Sequence, residues 1–292
     1  MKLGVIFPQT ELGNDPAAIR DYAQAAEQLG NNHILIFDHV LGGHPDRFEQ
    51  LGFRPPYNYQ TPFHEPFVLF GYLAALTTQI ELVTGILILP QRQTALVAKQ
   101  AAEVDVLTNG RLRLGVGIGW NIVEYEALGE NFKNRGRRSE EQVAVLRELW
   151  TNELVNFDGK YHHIKQAGIN PLPVQRPIPI WMGGMTEPVI QRIARIADGW
   201  FPQFRPGPQS TETIERLRGY IRAAGRNVDD VGIEGRISMF NTPEDEWTSA
   251  LDGWKQLGAT HVTLNTMGVA LPSPQAHIDA IQRFSEVAAA YQ

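Results

Sequence analysis

Eight short apolar runs, each followed by a longer amphipathic stretch, constrain this chain more than any other feature. The runs cover residues 3–7, 33–37, 82–89, 112–119, 178–182, 200–204, 231–239 and 261–264. They are rich in Ile, Val and Leu and bounded by Gly, Pro or Asn, which is the pattern of buried parallel strands. The stretches between them read as helices over 16–29, 66–76, 95–107, 138–150, 188–197, 211–224, 244–257 and 275–290. Asn14 and Asp15 offer a cap before the first helix, and Gly30 a stop after it. Eight strand–helix repeats in 292 residues predict an α/β fold, the (β/α)8 TIM barrel, which typically takes ~250 residues. The rival is a doubly wound parallel sheet, whose marker is G-x-G-x-x-G after an early strand. The nearest match, Gly115-Val116-Gly117-Ile118-Gly119-Trp120, puts Trp120 where the third glycine belongs and falls on strand four. A single barrel domain over residues 1–292 is therefore expected.

Two stretches exceed ordinary connections. Residues 40–64 follow strand two, so in a barrel they form a loop insertion at the C-terminal face, where active-site loops sit. Residues 152–177 follow the fourth helix and contain a small hairpin around 157–161.

Composition removes several function classes. Hydrophobic residues make up 43% of the chain and charged residues 20%, ample for a core and unlike a disordered chain. A net charge of −6 argues against attachment to nucleic acid by bulk charge. Cysteine is absent, which leaves no disulfide framework, thiolate nucleophile, zinc–thiolate site or iron–sulfur cluster. Residues 3–7 are too short for a signal-peptide core of ~7–15 residues, and no run approaches the ~18 apolar residues of a membrane span. A cytoplasmic enzyme acting on a small molecule is expected, with neither nucleic acid nor membrane as partner.

No metal site is expected either. The eight histidines form no H-E-x-x-H, His64-Glu65 runs into Pro66, and adjacent His162 and His163 point in opposite directions. A G-x-S-x-G elbow and a P-loop are also missing.

Five places carry possible chemistry. His39 ends strand two, where an imidazole at the barrel mouth can serve as acid, base or donor, and Asp38 beside it can orient the ring. The competing reading is a histidine tied to a loop carbonyl. Thr84-Gly85-Ile86 interrupts an apolar strand, marking a bulge, a close approach to a ligand, or simple packing. Gly115, Gly117 and Gly119 alternate, so all face one way; inward they leave a flat wall for a planar ring, outward they let a helix pack closely. Met182-Gly183-Gly184 runs toward a helix start near Glu187, a ready anion site. Glu234 and Arg236 alternate with Ile233 and Ile237 and should face into the barrel, where they are expected to form a structural ion pair.

Several motifs together resemble one family. They are Gly110-Arg111-Leu112-Arg113-Leu114-Gly115-Val116-Gly117-Ile118-Gly119-Trp120, Glu126-Ala127-Leu128-Gly129, Arg135-Gly136-Arg137-Arg138, Pro179-Ile180-Trp181-Met182-Gly183-Gly184 and Ala197-Asp198-Gly199-Trp200. In this order they resemble the bacterial luciferase-like monooxygenase superfamily, most of all its branch of coenzyme F420-dependent oxidoreductases, over nearly the whole chain. The resemblance implies a (β/α)8 barrel with a reduced flavin or deazaflavin at its mouth. It places Thr84, Gly85 and Ile86 at a bulge behind the ring, often with a non-prolyl cis peptide. It places Gly117, Ile118 and Gly119 beside the cofactor, and Met182, Gly183 and Gly184 near its phosphate. It makes His39 the catalytic histidine near the reactive face. Gln9 and Trp120 are expected to line the substrate pocket.

The resemblance leaves the cofactor between two chemistries. The luciferase pattern has a strand-four arginine for the phosphate of flavin mononucleotide (FMN), where this chain has Ile118. In deazaflavin members that oxidise sugar phosphates an acid follows the strand-four glycines, where this chain has Trp120. Hydride transfer between F420 and a small organic substrate is the first expectation, with His39 moving the accompanying proton. An FMN-dependent monooxygenase is the second, and a non-enzymatic flavin-binding barrel the third. Family members usually pair through barrel helices, so a homodimer is expected.

Overall fold

The computed structural model describes residues 1–52 and 54–291. Along the chain run β1 (Lys2–Ile6), α1 (Pro16–Gln28), β2 (His33–Ile36), α2 (Pro45–Glu49), α3 (Pro66–Ala74), β3 (Glu81–Thr84), β4 (Leu87–Ile88) and α4 (Thr94–Leu107). Then come β5 (Leu112–Gly117), α5 (Ile122–Ala127), α6 (Arg135–Thr151), β6 (Val155–Asp158), β7 (His163–Ala167), β8 (Ile180–Gly183) and α7 (Glu187–Ile196). The last elements are β9 (Gly199–Phe201), α8 (Pro208–Ala223), β10 (Gly232–Ser238), α9 (Trp247–Gln256), β11 (His261–Asn265) and α10 (Pro274–Ala288).

The parallel strands follow the order β3-β2-β1-β11-β10-β9-β8-β5-β4, and a further β3–β5 pairing closes the sheet on itself. Because β3 and β4 both pair with β5 and are split only at Gly85–Ile86, they form one interrupted stave. The result is the eight-stave TIM barrel expected from the apolar runs, with helices outside. Polar ends set several helix starts. Asp15 accepts from the Ala17 N–H at 2.9 Å with Pro16 at the first turn, and Ser273 caps α10 through Ala276. The hairpin read at 157–161 is the antiparallel pair β6–β7.

Two apolar layers hold the barrel. The outward faces of the strands pack against the helices, with Val5, Ile34, Leu82, Leu114 and Ile180 all fully buried. Inside, Ile6, Leu35, Val83 and Met267 form a second cluster with Phe37 and Phe201. Each such side chain contributes about 1.5–3 kcal/mol when fully buried. Below this apolar plug lies a charged layer. Arg113 donates to Glu81 at 2.8 Å and to Glu234 at 2.5 Å, and Glu234 also binds His33 at 2.9 Å and the Thr263 hydroxyl. The expected Glu234–Arg236 pair is therefore not formed. Residues two apart on one strand point the same way but are stacked along the barrel axis, and Arg113 reaches Glu234 across the interior instead. Burial opposes ionisation of Glu234, but Arg113 and His33 overcome it and hold the carboxyl well below its usual range. His261 sits in the same layer, and burial, reinforced by Arg113, pushes its pKa down to about 2.

Candidate active site

The C-terminal ends of the staves open into a cavity of about 320 Å³, at the lower end of ligand-sized clefts. Its walls are mostly apolar. Ile6, Leu35, Phe37 and Phe201 form the floor and one side, and Ile86, Ile118 and Trp120 the other. Of the residues singled out from sequence, Gly85, Ile86, Gly117, Ile118, Gly119, Gly183, Gly184 and Trp120 line it together.

The Gly85–Ile86 peptide is cis, and it sits where β3 breaks from β4. The strand-four glycines do face inward, yet they do not leave a bare wall. A Cβ on Gly117 would lie 2.5 Å from Ile86 Cδ1, and one on Gly183 would lie 3.0 Å from Ile86 Cγ2. The glycines make room for Ile86, so the apolar seat is the Ile86 side chain lodged between two strands.

The lining also holds a glycine turn and an arginine. Gly183 and Gly184 lead into α7, Gly184 takes φ +128°, and Met185 and Thr186 also line the wall. Thr186 makes no side-chain cap, but Pro188 carries no N–H and the Val189 N–H is taken by the Thr186 carbonyl at 2.8 Å, so the first turn of α7 offers the Glu187 N–H alone. Arg135 lies in the same lining. Its guanidinium stacks 3.7 Å over Phe132, its Nη1 donates to the Phe132 carbonyl at 2.8 Å, and its Nε is buried without a hydrogen bond. A helix N-terminus beside an under-used arginine suits a phosphate. The sequence contained Arg135 within a family motif but gave no local sign that α6 would aim it here.

Four singled-out residues lie outside the cavity lining. Thr84 turns its hydroxyl to the Gly115 carbonyl at 2.7 Å. Met182 is buried behind the sheet with Val116, Val189 and Arg192, because the alternation that turns Gly183 inward turns Met182 toward the helices. Gln9 is fully buried and donates to the Phe37 carbonyl at 3.0 Å, so it supports a wall residue. His39 stands behind Trp120, ring centroids 6.1 Å apart, with its side chain 14% exposed.

The surroundings of His39 differ from expectation. Asp38 does not orient it. That carboxylate accepts from Arg92 at 2.8 Å and from the Ile88 N–H at 2.9 Å, tying β2 to β4. Burial raises its pKa while Arg92 opposes the rise. No loop carbonyl holds the ring either. His39 Nδ1 meets the Tyr57 hydroxyl at 2.5 Å and Glu124 at 3.3 Å. Glu124 is itself fixed by the Val40 N–H at 2.9 Å and Gln91 at 3.0 Å, and Asn121 donates to the Tyr57 oxygen at 3.0 Å. Burial raises the Tyr57 hydroxyl above its usual range, so it stays neutral. Whichever tautomer holds, Nδ1 is engaged by the protein, which leaves Nε2 as the ring's other nitrogen. Tyr57 comes from the long 40–64 stretch, which also contributes α2 and buried Phe48.

The staves thus open into a largely apolar cavity lined in part by Arg135, with His39 behind its Trp120 wall. The chain belongs to the luciferase-like monooxygenase family, which it matches over residues 1–288. An uncharacterized protein of Mycobacterium tuberculosis is 32% identical over 277 residues, covering 90% of this chain and 92% of that protein. An FMNH2-dependent dimethylsulfone monooxygenase of Pseudomonas fluorescens is 32% identical over 229 residues, covering 77% of this chain but 58% of that one. Among solved structures, an F420-dependent secondary alcohol dehydrogenase superposes with a TM-score of 0.78 at 18% identity, covering 100% and 99% of the two chains. That last likeness is one of fold. The family comprises oxidoreductases and monooxygenases acting on small molecules.

Proposed function

We propose that the protein is an oxidoreductase that uses coenzyme F420 for hydride transfer to or from a small organic substrate. The observation that carries the reading is the seat at Ile86, between Gly117 and Gly183, in a lining that also holds Arg135 with its Nε unbonded. Ile86, Gly117 and Trp120 would hold the ring. Arg135 and the start of α7 would hold the phosphate. Bound F420 would supply a carbon centre that gives or takes hydride and reacts poorly with oxygen. The apolar walls exclude water, and His39 would move the accompanying proton at Nε2. Ile118 in the wall, where the luciferase pattern has a phosphate-binding arginine, favours F420 over FMN.

A second reading, an FMN-dependent monooxygenase, is favoured by the Pseudomonas relative and by Arg135, which brings an arginine to the cavity from α6 instead. Titration of the purified protein with each cofactor, followed by absorbance, decides between them. F420 is expected to bind more tightly than FMN by about tenfold, or 1.4 kcal/mol. Tighter FMN binding moves the assignment to the second reading, and saturable binding of neither overturns both. In the same titration Gly183→Asp should weaken binding by about tenfold or more, since its side chain crowds Ile86 at the seat and brings a carboxylate to the cavity that would hold the phosphate. Unchanged affinity would displace the phosphate from this end. Cofactor binding without turnover of any acceptor would leave a non-enzymatic barrel.

The same reading includes a cytoplasmic homodimer. Val68, Tyr72, Leu96 and Leu107 on α3 and α4 are exposed apolar side chains that a second copy would cover. Light scattering at micromolar concentration should give twice 32.7 kDa, and a monomer mass alone would remove the dimer.

A further inference from the structure

Arg236 is a cation at the cavity that no hydrogen-bonded or ion-paired partner neutralises among the described residues. Strand alternation places it on the inner face of β10, two residues beyond Glu234, and it lines the main cavity. Glu234 is the one carboxylate in that lining, and it is already engaged by Arg113, His33 and Thr263. Among the described residues Arg236 has no hydrogen bond and no ion pair. A guanidinium presents five donors in a fixed fork matched to carboxylate and sulfonate oxygens.

Its surroundings repeat the preference. Arg236 also lines an adjoining recess with Gln203, Arg205, Ser238, Asn241 and Asn265, and that recess contains no carboxylate. Arg205 gives one N–H to the Asn241 carbonyl and remains a second positive charge there. Desolvation by the cavity walls lowers the pKa of Arg236. The residue is nonetheless exposed at the cavity opening, and the group stays charged at neutral pH.

Position separates this cation from the phosphate end. Taking β3 and β4 as one, β10 is the seventh stave and the Gly85–Ile86 break lies in the third, so the two face each other across the barrel. The α7 start follows the fifth stave, β8. Arg236 therefore looks across the cavity toward the seat, past the apolar side chains of Phe37 and Phe201.

We infer that Arg236 binds the acidic head of the substrate, which is an organic acid with an apolar body lying against Phe37 and Phe201. This rests on the reading above only in assigning the seat to the cofactor. The shared chemistry, an anion on Arg236, could also come from an acidic tail of the cofactor, and the test separates the two.

The probes are benzoate and benzenesulfonate, with benzyl alcohol as the neutral match, titrated calorimetrically into protein with and without cofactor. Either acid should bind saturably, and the alcohol about tenfold more weakly or worse. Arg236→Met should lose the acids by about tenfold and leave cofactor affinity within about twofold, while Arg236→Lys should fall between. Because Arg236 has no partner, the variants should keep the wild-type melting temperature. Wild-type affinity for the acids in Arg236→Met overturns the inference, as does absence of saturable binding by either acid. So does a matching loss of cofactor affinity, which gives the anion to the cofactor. Acid binding through Arg236 in a protein that binds neither F420 nor FMN would uphold this inference and remove the assigned cofactor.

Discussion

Arg113→Met is expected to destabilise the folded barrel by about 3–5 kcal/mol at neutral pH, the range for breaking a buried ion pair on one side. Arg113 and Glu234 have side chains 3% and 2% exposed, and their N–O distance is 2.5 Å. Removing the guanidinium leaves a nearly buried carboxylate with His33 and Thr263 as its remaining partners. Glu81 loses the same partner, but at 27% exposure it recovers hydration. The loss corresponds to roughly 6–20 °C in melting temperature for a chain of this size class. Guanidinium chloride unfolding at pH 7 measures it, and a loss under about 1 kcal/mol would show that the pair is not a net support.

The pH dependence of the same variant should invert. In the wild type the Glu234 pKa is depressed, so its contribution is complete above the unfolded carboxylate value of about 4.3 and is lost as pH falls below it. Without Arg113, burial dominates and raises that pKa, so protonation relieves the folded state. Arg113→Met should therefore gain stability between pH 8 and 5, where the wild type does not gain from this group. Adding Glu234→Gln should recover much of the loss at pH 7, because no charge is then left buried.

That buried layer also shows where sequence reading stops. The eight staves were legible because each is a run of apolar residues whose outward face must be dry, a property carried locally. The Thr84-Gly85-Ile86 interruption was legible for the same reason, since glycine in an apolar strand breaks its own pattern. Pairings across the interior leave no such trace. Glu234 and Arg236 are neighbours in sequence, yet Glu234 finds Arg113, 121 positions away. Asp38 precedes His39, yet it serves Arg92, and Glu124 takes the place beside the ring. That the strand-four glycines share one face was read from alternation, but which face it is, and the Ile86 side chain that fills their space from another stave, were not. Arg135 sits in a polar stretch whose helix begins three residues earlier than its apolar pattern, so its direction depends on how α6 docks.

His39→Gln is expected to lower kcat by about 10²–10⁴, the contribution of a positioned acid or base, or about 3–5 kcal/mol at 1.36 kcal/mol per tenfold. Hydride transfer to or from a polar bond requires a proton at the partner atom. With Nδ1 engaged by Tyr57 and Glu124, Nε2 is the nitrogen that the proposal assigns to it. Glutamine keeps hydrogen-bonding capacity toward Tyr57 but does not titrate near neutrality. The limb of the kcat/KM pH profile that belongs to the histidine should therefore vanish in His39→Gln, with cofactor affinity and melting temperature close to wild type. Glu124→Gln tests the positioning separately. It keeps the shape around Val40 and Gln91 but replaces the carboxylate 3.3 Å from His39 Nδ1, so kcat should fall by less than in His39→Gln and the histidine's limb should remain present. A histidine that only braces the 40–64 stretch predicts the opposite set: a lower melting temperature, an unshifted pH profile and near-wild-type kcat per folded molecule. That outcome would remove His39 from the chemistry and leave its ring as a wedge between Tyr57, Phe63 and Trp120.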